Sequence, residues 1–186
     1  MEYCDVLIAG GSVAGLTTAR ECSSNGPSTI VIEEDHEIGT PEHCGGMVSL
    51  GGLQKLGLIV DSNNFQNAVY KAKISSRSFS FELPAEKQNV IVVDRRGLDK
   101  QFAKQAQSAG AEIRTRCSFK SISKNQATYV VKTSDGEIEC KYFVDAKGLR
   151  SLKDATNAGI LASAQFEIYA NWIDGKAVEI LFDAEK

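Results

Sequence analysis

Two kinds of apolar pattern divide this chain into two kinds of predicted strand. Residues 4–9 and 29–32, CDVLIA and TIVI, are short continuous apolar runs, which are typical of strands buried on both faces of a sheet. Residues 13–24 between them have the pattern of a helix that ends at Asn25-Gly26-Pro27. Residues 68–83 alternate instead, which indicates one or two exposed strands of a different sheet. The chain therefore begins with a predicted strand–helix–strand unit whose strands run parallel.

Later segments return to continuous apolar runs after a loop predicted over residues 38–49. Residues 98–108 are predicted to form an amphipathic helix. We expect a parallel-sheet core made of residues 3–9, 29–33, 111–115 and 142–146. An antiparallel appendage is expected from about residue 117 to residue 141. Residues 164–170 and 177–182 are predicted to pair as a hairpin.

Composition and charge narrow the class of protein. The chain has 186 residues, of which 42% are hydrophobic and 24% are charged, which suits one soluble globular domain with its own core. Its net charge of -3 provides no basic face, so nucleic acid is not an expected partner. No apolar run approaches the roughly 20 residues of a membrane-spanning helix. The N-terminal run follows the acidic Glu2 and Asp5, unlike a signal peptide.

The five cysteines point to a reducing compartment. Their number is odd and they are never spaced as C-x-x-C, which argues against a disulfide framework and against a zinc site. Cys4, Cys22, Cys117 and Cys140 lie in predicted strands or a helix, where free cysteine behaves as a small hydrophobe. Cys44 differs because it lies in a glycine-rich loop. We therefore expect a cytoplasmic protein that holds no metal.

A glycine turn joins the first predicted strand to the first helix. Gly10 to Gly15, GGSVAG, occupies the place of the G-x-G-x-x-G pattern, with Ser12 at the middle glycine. Such a turn presents the helix N-terminus, with its free N–H groups and partial positive charge, to a pyrophosphate. Glu33 comes after the second strand, 18 residues after Gly15, where an acid accepts hydrogen bonds from both ribose hydroxyls of an adenosine. The turn and Glu33 together predict a dinucleotide site.

The choice of dinucleotide depends on the elements that come after the second strand. An acid at Glu33 disfavours a ribose 2′-phosphate, so NADP is not expected at this turn and NAD and FAD remain. An NAD domain usually continues with further strand–helix units. This chain inserts antiparallel material and returns to strand and helix around residues 90–115, as FAD domains of the glutathione-reductase-like class do. The pattern favours FAD.

The same segments carry a resemblance to a known family. The chain resembles the archaeal and photosynthetic geranylgeranyl reductases, which belong to the same broad class as the aromatic flavoprotein hydroxylases. Its most specific feature is a P-x-x-C-G segment, present as Pro41-Glu42-His43-Cys44-Gly45. The matching segments are GGSVAG at 10–15, EIGTPEHCGGMVS at 37–49, VDRRGLDKQFAKQAQSAGAEI at 93–113 and VDAKGLRS at 144–151.

The resemblance implies an α/β fold with two parts. The first is an FAD-binding Rossmann-like domain of the glutathione-reductase type, a parallel sheet with an antiparallel β appendage, expected over residues 1–160. Inserted strands are expected at about residues 66–92. Residues 161–186 are then the beginning of a substrate-binding domain with its own sheet.

The resemblance also assigns roles to residues. The first turn and Glu33 hold the ADP half of FAD. The backbone from Cys44 to Met47 passes the isoalloxazine ring or ribityl chain, and Cys44 is the candidate catalytic residue. Arg95 reaches the phosphates or ribityl hydroxyls, and a segment near Phe119 offers main-chain hydrogen bonds to the adenine. The predicted cofactor-binding residues are Gly10, Ser12, Ala14, Gly15, Glu33, Cys44, Gly45, Met47, Arg95 and Phe119.

Five further residues receive no role at the cofactor. Asp145 and Gly148 match a motif that braces the cofactor domain, and we interpret them as structural. Arg96 is expected to stay on the surface. His36 and His43 show no pattern of partners, so neither catalysis nor metal binding is assigned to them.

The implied activity is reduction of isoprenoid double bonds in geranylgeranyl lipids, with hydride from the flavin and a proton from a nearby acid. The electron donor, NAD(P)H or ferredoxin, is left open, and the protein is expected in the cytoplasm with peripheral contact to the inner face of the membrane. An aromatic-glycine-proline segment and a later Gly-Asp motif of full-length relatives are absent from residues 1–186. We therefore expect the chain alone not to be a competent reductase and to leave apolar surface uncovered at residues 164–182.

Two other functions stay open at this point. A flavin monooxygenase or halogenase shares the cofactor domain but uses oxygen. A flavin- or nucleotide-binding module without catalysis also agrees with the residues present. Turnover with a reduced flavin and a lipid separates the reductase from both.

Overall fold

The structure, a computed structural model, describes residues 1–42, 44–84, 89–148 and 163–182. The chain forms two compact units. Unit 1 consists of residues 1–42 and 96–162, and unit 2 consists of residues 43–95 and 163–186. The inserted strands that were expected at about residues 66–92 lie within unit 2. The domain division at residue 160, and the assignment of the last residues to a substrate domain, stay predictions.

The helices and strands are numbered along the chain. The helices are α1 (Val13–Ser24), α2 (Leu50–Lys55) and α3 (Arg95–Ser108), with a 3₁₀ turn at Ser62–Asn64. The first six strands are β1 (Glu2–Ala9), β2 (Thr29–Ile32), β3 (Met47–Ser49), β4 (Phe65–Val69), β5 (Lys71–Ser76) and β6 (Ser80–Pro84). The others are β7 (Val90–Val93), β8 (Glu112–Arg114), β9 (Phe119–Asn125), β10 (Thr128–Thr133), β11 (Gly136–Asp145) and β12 (Ala177–Phe182).

Unit 1 is built on a six-stranded sheet in the order β8-β2-β1-β11-β10-β9. The first four strands run parallel, which confirms the expected parallel core. β9 pairs antiparallel with β10, and β10 pairs antiparallel with β11, which confirms the expected appendage. The expected boundary near residue 141 is wrong, because β11 is one continuous strand. It pairs with β1 from Ile138 to Asp145, since β1 starts at Glu2 and extends beyond its apolar run.

The central strands of this sheet bury side chains on both faces, as their apolar runs predicted. Leu7 and Ala9 of β1 belong to one core cluster, together with residues of β2, β10 and β11. Val6 and Ile8 belong to another, which contains Ala19 of α1 and Ala106 of α3. Alternate residues thus face opposite sides, as strand geometry requires. The two helices pack on one face of the sheet.

Helix α3 is longer than the amphipathic pattern indicated. It begins at Arg95 rather than Leu98, because its first turn is polar and carries no apolar signal. Its buried face contains Leu98, Phe102 and Ala106 together with Asp99 and Ala103. Asp99 is only 5% exposed, which makes it one of the few buried charged residues in the described part of the chain. This carboxylate is placed among apolar neighbours on a helix that packs against the sheet.

Unit 2 contains two three-stranded sheets, ordered β3-β7-β4 and β12-β5-β6. The loop predicted over residues 38–49 ends in β3. The alternating run forms β5 and β6, which confirms the prediction of one or two strands of a different sheet. The predicted hairpin of residues 164–170 and 177–182 is wrong. Residues 163–170 contain no strand, and β12 instead pairs parallel with β5. Lys176 secures that pairing, since its carbonyl oxygen accepts from the N–H of Tyr70 at 2.9 Å.

Phe102 is the side chain on α3 with the largest expected effect on stability. It is 1% exposed, and truncating a buried phenylalanine removes apolar contacts and leaves a cavity. We expect Phe102→Ala to lower the free energy of unfolding by about 3–5 kcal/mol in urea denaturation followed by circular dichroism. Lys104→Ala, at an exposed position of the same helix, is the control and is expected to change stability by no more than about 0.5 kcal/mol. A loss below about 1 kcal/mol for Phe102→Ala would contradict the packing described.

Candidate dinucleotide-binding site

The carboxyl ends of four parallel strands form one edge of the unit 1 sheet. β2 and β8 lie on one side of β1 and β11 lies on the other, so the strand order reverses between β1 and β11. Ligands of open parallel sheets bind outside the carboxyl ends of the strands at such a point. The glycine turn follows β1 there, Glu33 follows β2 and Ala146 follows β11.

The turn passes through this edge as bare backbone. Gly10 has a φ of +112°, and a Cβ at this position would lie 2.4 Å from the carbonyl oxygen of Ala146. A Cβ at Gly15 would lie 1.9 Å from the carbonyl oxygen of Gly10. Any side chain at either position would collide with backbone, which cannot move aside. The structure therefore gives a physical reason for the first and last glycines of the pattern.

The N-terminus of α1 has the features of an anion site. Its first turn contains no acidic residue, and Ser12, at the N-cap position, makes no capping hydrogen bond with its side chain. The hydroxyl of Ser12 donates instead to Oδ2 of Asp99 on α3, at 3.2 Å. Asp99 was missed by the sequence reasoning, although it is the last residue of the same R-x-x-L-D segment that singled out Arg95. A phosphate is the group that suits such a helix end.

Glu33 is tied to the glycine turn by hydrogen bonds. Its Oε2 accepts from the N–H of Gly11 at 2.6 Å, and its Oε1 accepts from the N–H of Asp35 at 3.0 Å. Each carboxylate oxygen has a second lone pair that can accept from a ribose hydroxyl. The structure thus brings Glu33 and the turn together as the sequence predicted. The brace to Gly11 was not foreseen.

The segment after β8 runs beside Glu33. Cys117 donates its N–H to the carbonyl oxygen of Glu33 at 2.8 Å, and Arg116 donates its N–H to that of Asp35 at 2.7 Å. Phe119 follows as the first residue of β9, where its backbone pairs with Thr133. Its role in main-chain hydrogen bonds to adenine stays a prediction.

The motif residue Asp145 lies in a partly buried cluster at the end of β11. Its carboxylate accepts from the backbone N–H of Lys147 at 3.3 Å and from Nζ of Lys147 at 3.2 Å. The same Nζ lies 4.1 Å from the centre of the Phe119 ring, which in turn lies 5.4 Å from the ring of Phe143. These contacts stabilise the end of β11, in agreement with a structural role for Asp145. Gly148 is exposed and has a φ of +61°.

Other predicted residues of this region are dispersed over the helices. Ala14 is exposed in the first turn of α1, and Arg95 is the half-buried first residue of α3. Arg96 is exposed, as expected, and its guanidinium lies 2.5 Å from a carboxylate oxygen of Glu37. Lys100 contacts the other oxygen of the same carboxylate. These two bonds hold the pKa of Glu37 below its ordinary value. The cofactor roles of Ala14 and Arg95 stay predictions.

The glycine-rich loop that contains Cys44 belongs to unit 2. The thiol of Cys44 is free and exposed, and its neighbour Gly45 is also exposed. Gly46 has a φ of +75°, and a Cβ there would lie 2.1 Å from the carbonyl oxygen of Val93, so the loop lies directly against β7. Met47 is 52% exposed at the start of β3. His43 lies outside the described residues, and the placement of Cys44, Gly45 and Met47 at the flavin stays a prediction.

The other cysteines are packed as the sequence predicted, although Cys117 lies between strands rather than in one. Cys4 and Cys140 are buried in β1 and β11. Burial raises the pKa of the Cys4 thiol to about 12 and that of the Cys140 thiol to about 11. Within the described ranges, no group of three or more histidine, cysteine, aspartate or glutamate side chains is arranged to hold a metal ion. Over the same ranges, no helix is long and apolar enough to cross a membrane.

Comparison with known proteins identifies which dinucleotide the chain binds. The family model described as "FAD binding domain" matches residues 3–185. This chain belongs to that FAD-binding family. Its cofactor is FAD, and the residues present fit it, because the bare turn, the open helix end and the Glu33 carboxylate accommodate a pyrophosphate and a ribose. The placement of the nucleotide half of FAD at the sheet edge of unit 1 stays a prediction.

Two similar proteins carry reductase names. Digeranylgeranylglycerophospholipid reductase 3 of Methanosphaera stadtmanae is 29% identical over 165 residues, which are 86% of this chain and 38% of that protein. A solved structure of a geranylgeranyl bacteriochlorophyll reductase-like protein from Thermoplasma acidophilum is 29% identical, with a TM-score of 0.69 over 78% of this chain and 39% of that chain. The chain spans between 38% and 51% of the length of the first curated relatives that it matches. These likenesses confirm the resemblance to geranylgeranyl reductases.

A more distant likeness shows the fold alone. The solved structure of the halogenase PltM in complex with phloroglucinol and FAD is 17% identical, with a TM-score of 0.62 over 77% of this chain and 34% of that chain. It shows that the FAD-binding Rossmann-like α/β fold is shared with a flavoprotein of different chemistry. The fold therefore does not choose between reduction and oxygen chemistry.

Glu33 provides the first test of FAD binding. We expect Glu33→Ala to weaken FAD binding about 5- to 150-fold, because hydrogen bonds to a charged group and the brace to Gly11 are lost together. Isothermal titration calorimetry with FAD measures the change. Glu34→Ala, at the exposed neighbouring position, is the matched control and is expected to leave the affinity within about twofold. Tight binding of NAD with no binding of FAD would show the assignment to be wrong.

The cysteines provide a second test. A pH of 8 is below the raised pKa values of the buried Cys4 and Cys140 thiols, so both stay protonated and unreactive. The thiol of Cys44 is exposed to the reagent. We expect a thiol-specific disulfide reagent to modify Cys44 first in the folded chain and to reach Cys4 and Cys140 only after unfolding. If Cys44 lines the flavin, saturating FAD slows its modification. Mass spectrometry locates the label, and Cys44→Ser is the control. Unchanged reactivity of Cys44 with FAD bound would count against its place at the flavin.

Proposed function

We propose that this protein is an FAD-dependent oxidoreductase that reduces the isoprenoid double bonds of geranylgeranyl lipids. The observation that carries the proposal is that a chain of the FAD-binding family is similar to digeranylgeranylglycerophospholipid reductases. The turn, the N-terminus of α1 and Glu33 support it, because they fit a pyrophosphate and a ribose. Because the substrate is a membrane lipid, the proposal includes a cytoplasmic protein that contacts the membrane at its surface. The electron donor is left open between NAD(P)H and ferredoxin.

The residues of unit 1 bind and orient the cofactor in this proposal. The N-terminus of α1 holds the pyrophosphate, and Glu33 accepts from the ribose hydroxyls while it keeps Gly11 in place. When bound and reduced, FAD supplies the hydride for the double bond. Asp145 and Lys147 stabilise the end of β11 beside the turn. These residues provide orientation rather than chemistry.

One sheet of unit 2 has a surface suited to a hydrocarbon chain. Cross-strand partners share a face, and so do residues two apart along a strand. The register therefore places one apolar row beside another on a single face, formed by Val178, Ala72 and Leu83 and by Ile180, Ile74 and Phe81. Leu83 is 47% exposed, and Phe81 and Ile180 are each 40% exposed. We call these six residues the apolar face.

The opposite face of the same sheet is charged. Lys71 lies 3.0 Å from Asp174, and Lys73 lies 3.7 Å from Glu179. Exposed ion pairs of this kind add little to the free energy of unfolding, but their charges make this face hydrophilic. The sheet thus separates a surface for solvent from a surface for apolar groups. Contiguous exposed apolar residues mark binding surfaces for partners or ligands.

A reductive activity has more support than oxygen chemistry. The relatives at 26% identity or more carry reductase names, whereas the halogenase at 17% identity shows the fold alone. The residues that bind FAD are compatible with either. No observation among the described residues of unit 1 or unit 2 specifically favours an oxygen-using enzyme over the reductase.

The test is reduction of a geranylgeranyl lipid by the whole encoded polypeptide. The protein is loaded with FAD, supplied with dithionite, and incubated with digeranylgeranylglycerol phosphate and, in parallel, with a fully saturated analogue. Mass spectrometry is expected to show a gain of two hydrogens for each reduced double bond, at about one turnover per second or faster. FAD binding without any mass change in the lipid would refute the proposed reductase activity and indicate a flavin-binding protein without this catalysis. The expected inactivity of residues 1–186 alone is tested in the same assay and stays a prediction.

The apolar face yields a substitution for this assay. We expect Phe81→Ser to reduce kcat/KM for the lipid about tenfold through KM, because removing an apolar contact of this size from a chain-binding surface costs about 1–3 kcal/mol. Its FAD affinity is expected to be unchanged. Glu82→Gln alters the charged face of the same strand and is the control. Equal effects of the two substitutions would contradict a lipid site on the apolar face.

A further inference from the structure

The N-cap of α1 is occupied by a residue that would normally satisfy the helix end itself. Ser12 stands where the glycine pattern has its middle glycine, and its φ of -101° and ψ of -172° are the extended conformation of an N-cap residue. A serine in this position usually accepts a hydrogen bond from the second or third N–H of its helix. The side chain of Ser12 makes no such bond. Its backbone carbonyl still accepts from the N–H of Leu16 at 2.9 Å, so the helix begins normally.

The hydroxyl of Ser12 is engaged by a buried carboxylate instead. It donates to Oδ2 of Asp99 at 3.2 Å. Asp99 is 5% exposed and is flanked on α3 by Leu98 and Phe102, each 1% exposed. Because α3 packs against the sheet through Ala106 and buries Asp99 on the same helix, the acceptor is held at a fixed place. The bond selects a side-chain rotamer of Ser12 in which the hydroxyl faces α3.

A capping hydroxyl and a phosphate oxygen compete for the same N–H groups of α1. We propose that Asp99 is a positioning residue for FAD binding, which keeps the Ser12 hydroxyl off the N-terminus of α1 so that the phosphates of FAD take its N–H groups. The proposal rests on the assignment of FAD to this turn. It explains how the chain tolerates a serine at a position where the pattern has a residue without a side chain.

The experiment is a double-mutant cycle on the whole chain, followed by calorimetry with FAD and with ADP. Asp99→Leu removes the acceptor and is expected to weaken binding of both ligands about fivefold, the cost of displacing a serine cap. Asp99→Asn keeps an oxygen acceptor and is expected to retain affinity within about twofold. In a Ser12→Gly background no hydroxyl can cap the helix, so Asp99→Leu is expected to have no further effect. The cycle isolates the coupling between the two positions.

Adenosine separates positioning from general loss of structure. It has no phosphate, so its affinity, measured by ligand-observed NMR, is expected to be the same for Asp99→Leu and the unaltered chain. Circular dichroism checks that each variant is folded, and Asp99→Ala replaces Asp99→Leu if the latter does not fold. Equal loss of ADP and adenosine binding, an additive cycle, or unfolding of both variants would overturn the proposal and leave Asp99 a structural residue. Absence of FAD binding by the unaltered chain would overturn both this inference and the proposed function, whereas FAD binding with an additive cycle overturns this inference alone.

Discussion

The crowding at the carboxyl end of β1 is the constraint on which the cofactor site depends. β1 lies between β2 and β11, and the chain leaves it through a space where a Cβ at Gly10 would lie 2.4 Å from the carbonyl oxygen of Ala146. It returns as α1 so close to the strand that a Cβ at Gly15 would lie 1.9 Å from the carbonyl oxygen of Gly10. Only bare backbone fits this path, and bare backbone is also what a diphosphate can approach closely. Packing and binding therefore require the same residues.

The features that could be predicted from sequence are those decided by a few neighbouring residues. The run TIVI specifies a strand buried on both faces wherever it lies, and the glycine turn after β1 specifies a strand–turn–helix by itself. The predictions that were wrong, and the contacts that were missed, concern residues far apart in the sequence. β12 pairs with β5, matching Ala177 to Lys71, and an alternating run does not reveal whether its neighbour is parallel or antiparallel. The Ser12–Asp99 bond joins positions 87 residues apart, so only the folded chain shows it.

In the sheet of β5, β6 and β12, alternate side chains form two surfaces of different character, one on each face. Lys71 and Lys73 of β5 form ion pairs on one face, whereas Ala72 and Ile74 belong to the apolar face. Alternation alone predicted exposed strands and could not assign a use to either side. The exposure of Phe81 and Ile180 provides that information, because contiguous exposed apolar side chains mark a surface that binds a partner or ligand. An isoprenoid chain has the chemistry to cover them, which is why the proposed substrate and this surface agree.

Two carboxylates fix the cofactor turn before any ligand arrives, although negative charge beside a diphosphate site is unfavourable. Glu33 holds the N–H of Gly11 and Asp99 holds the hydroxyl of Ser12. A carboxylate is a stronger acceptor than a neutral oxygen, so each bond defines the backbone and rotamer of the turn more firmly than an amide could. A turn that is already ordered loses less conformational entropy when FAD binds. Glu33 is also the residue predicted to accept from the ribose hydroxyls, and the N-terminal dipole of α1 opposes the electrostatic repulsion that remains. The two carboxylates thus weaken the electrostatic attraction of the site for phosphates but give the turn a fixed shape. A fixed shape is needed if the ribose and the phosphates of a cofactor are to be held in one orientation.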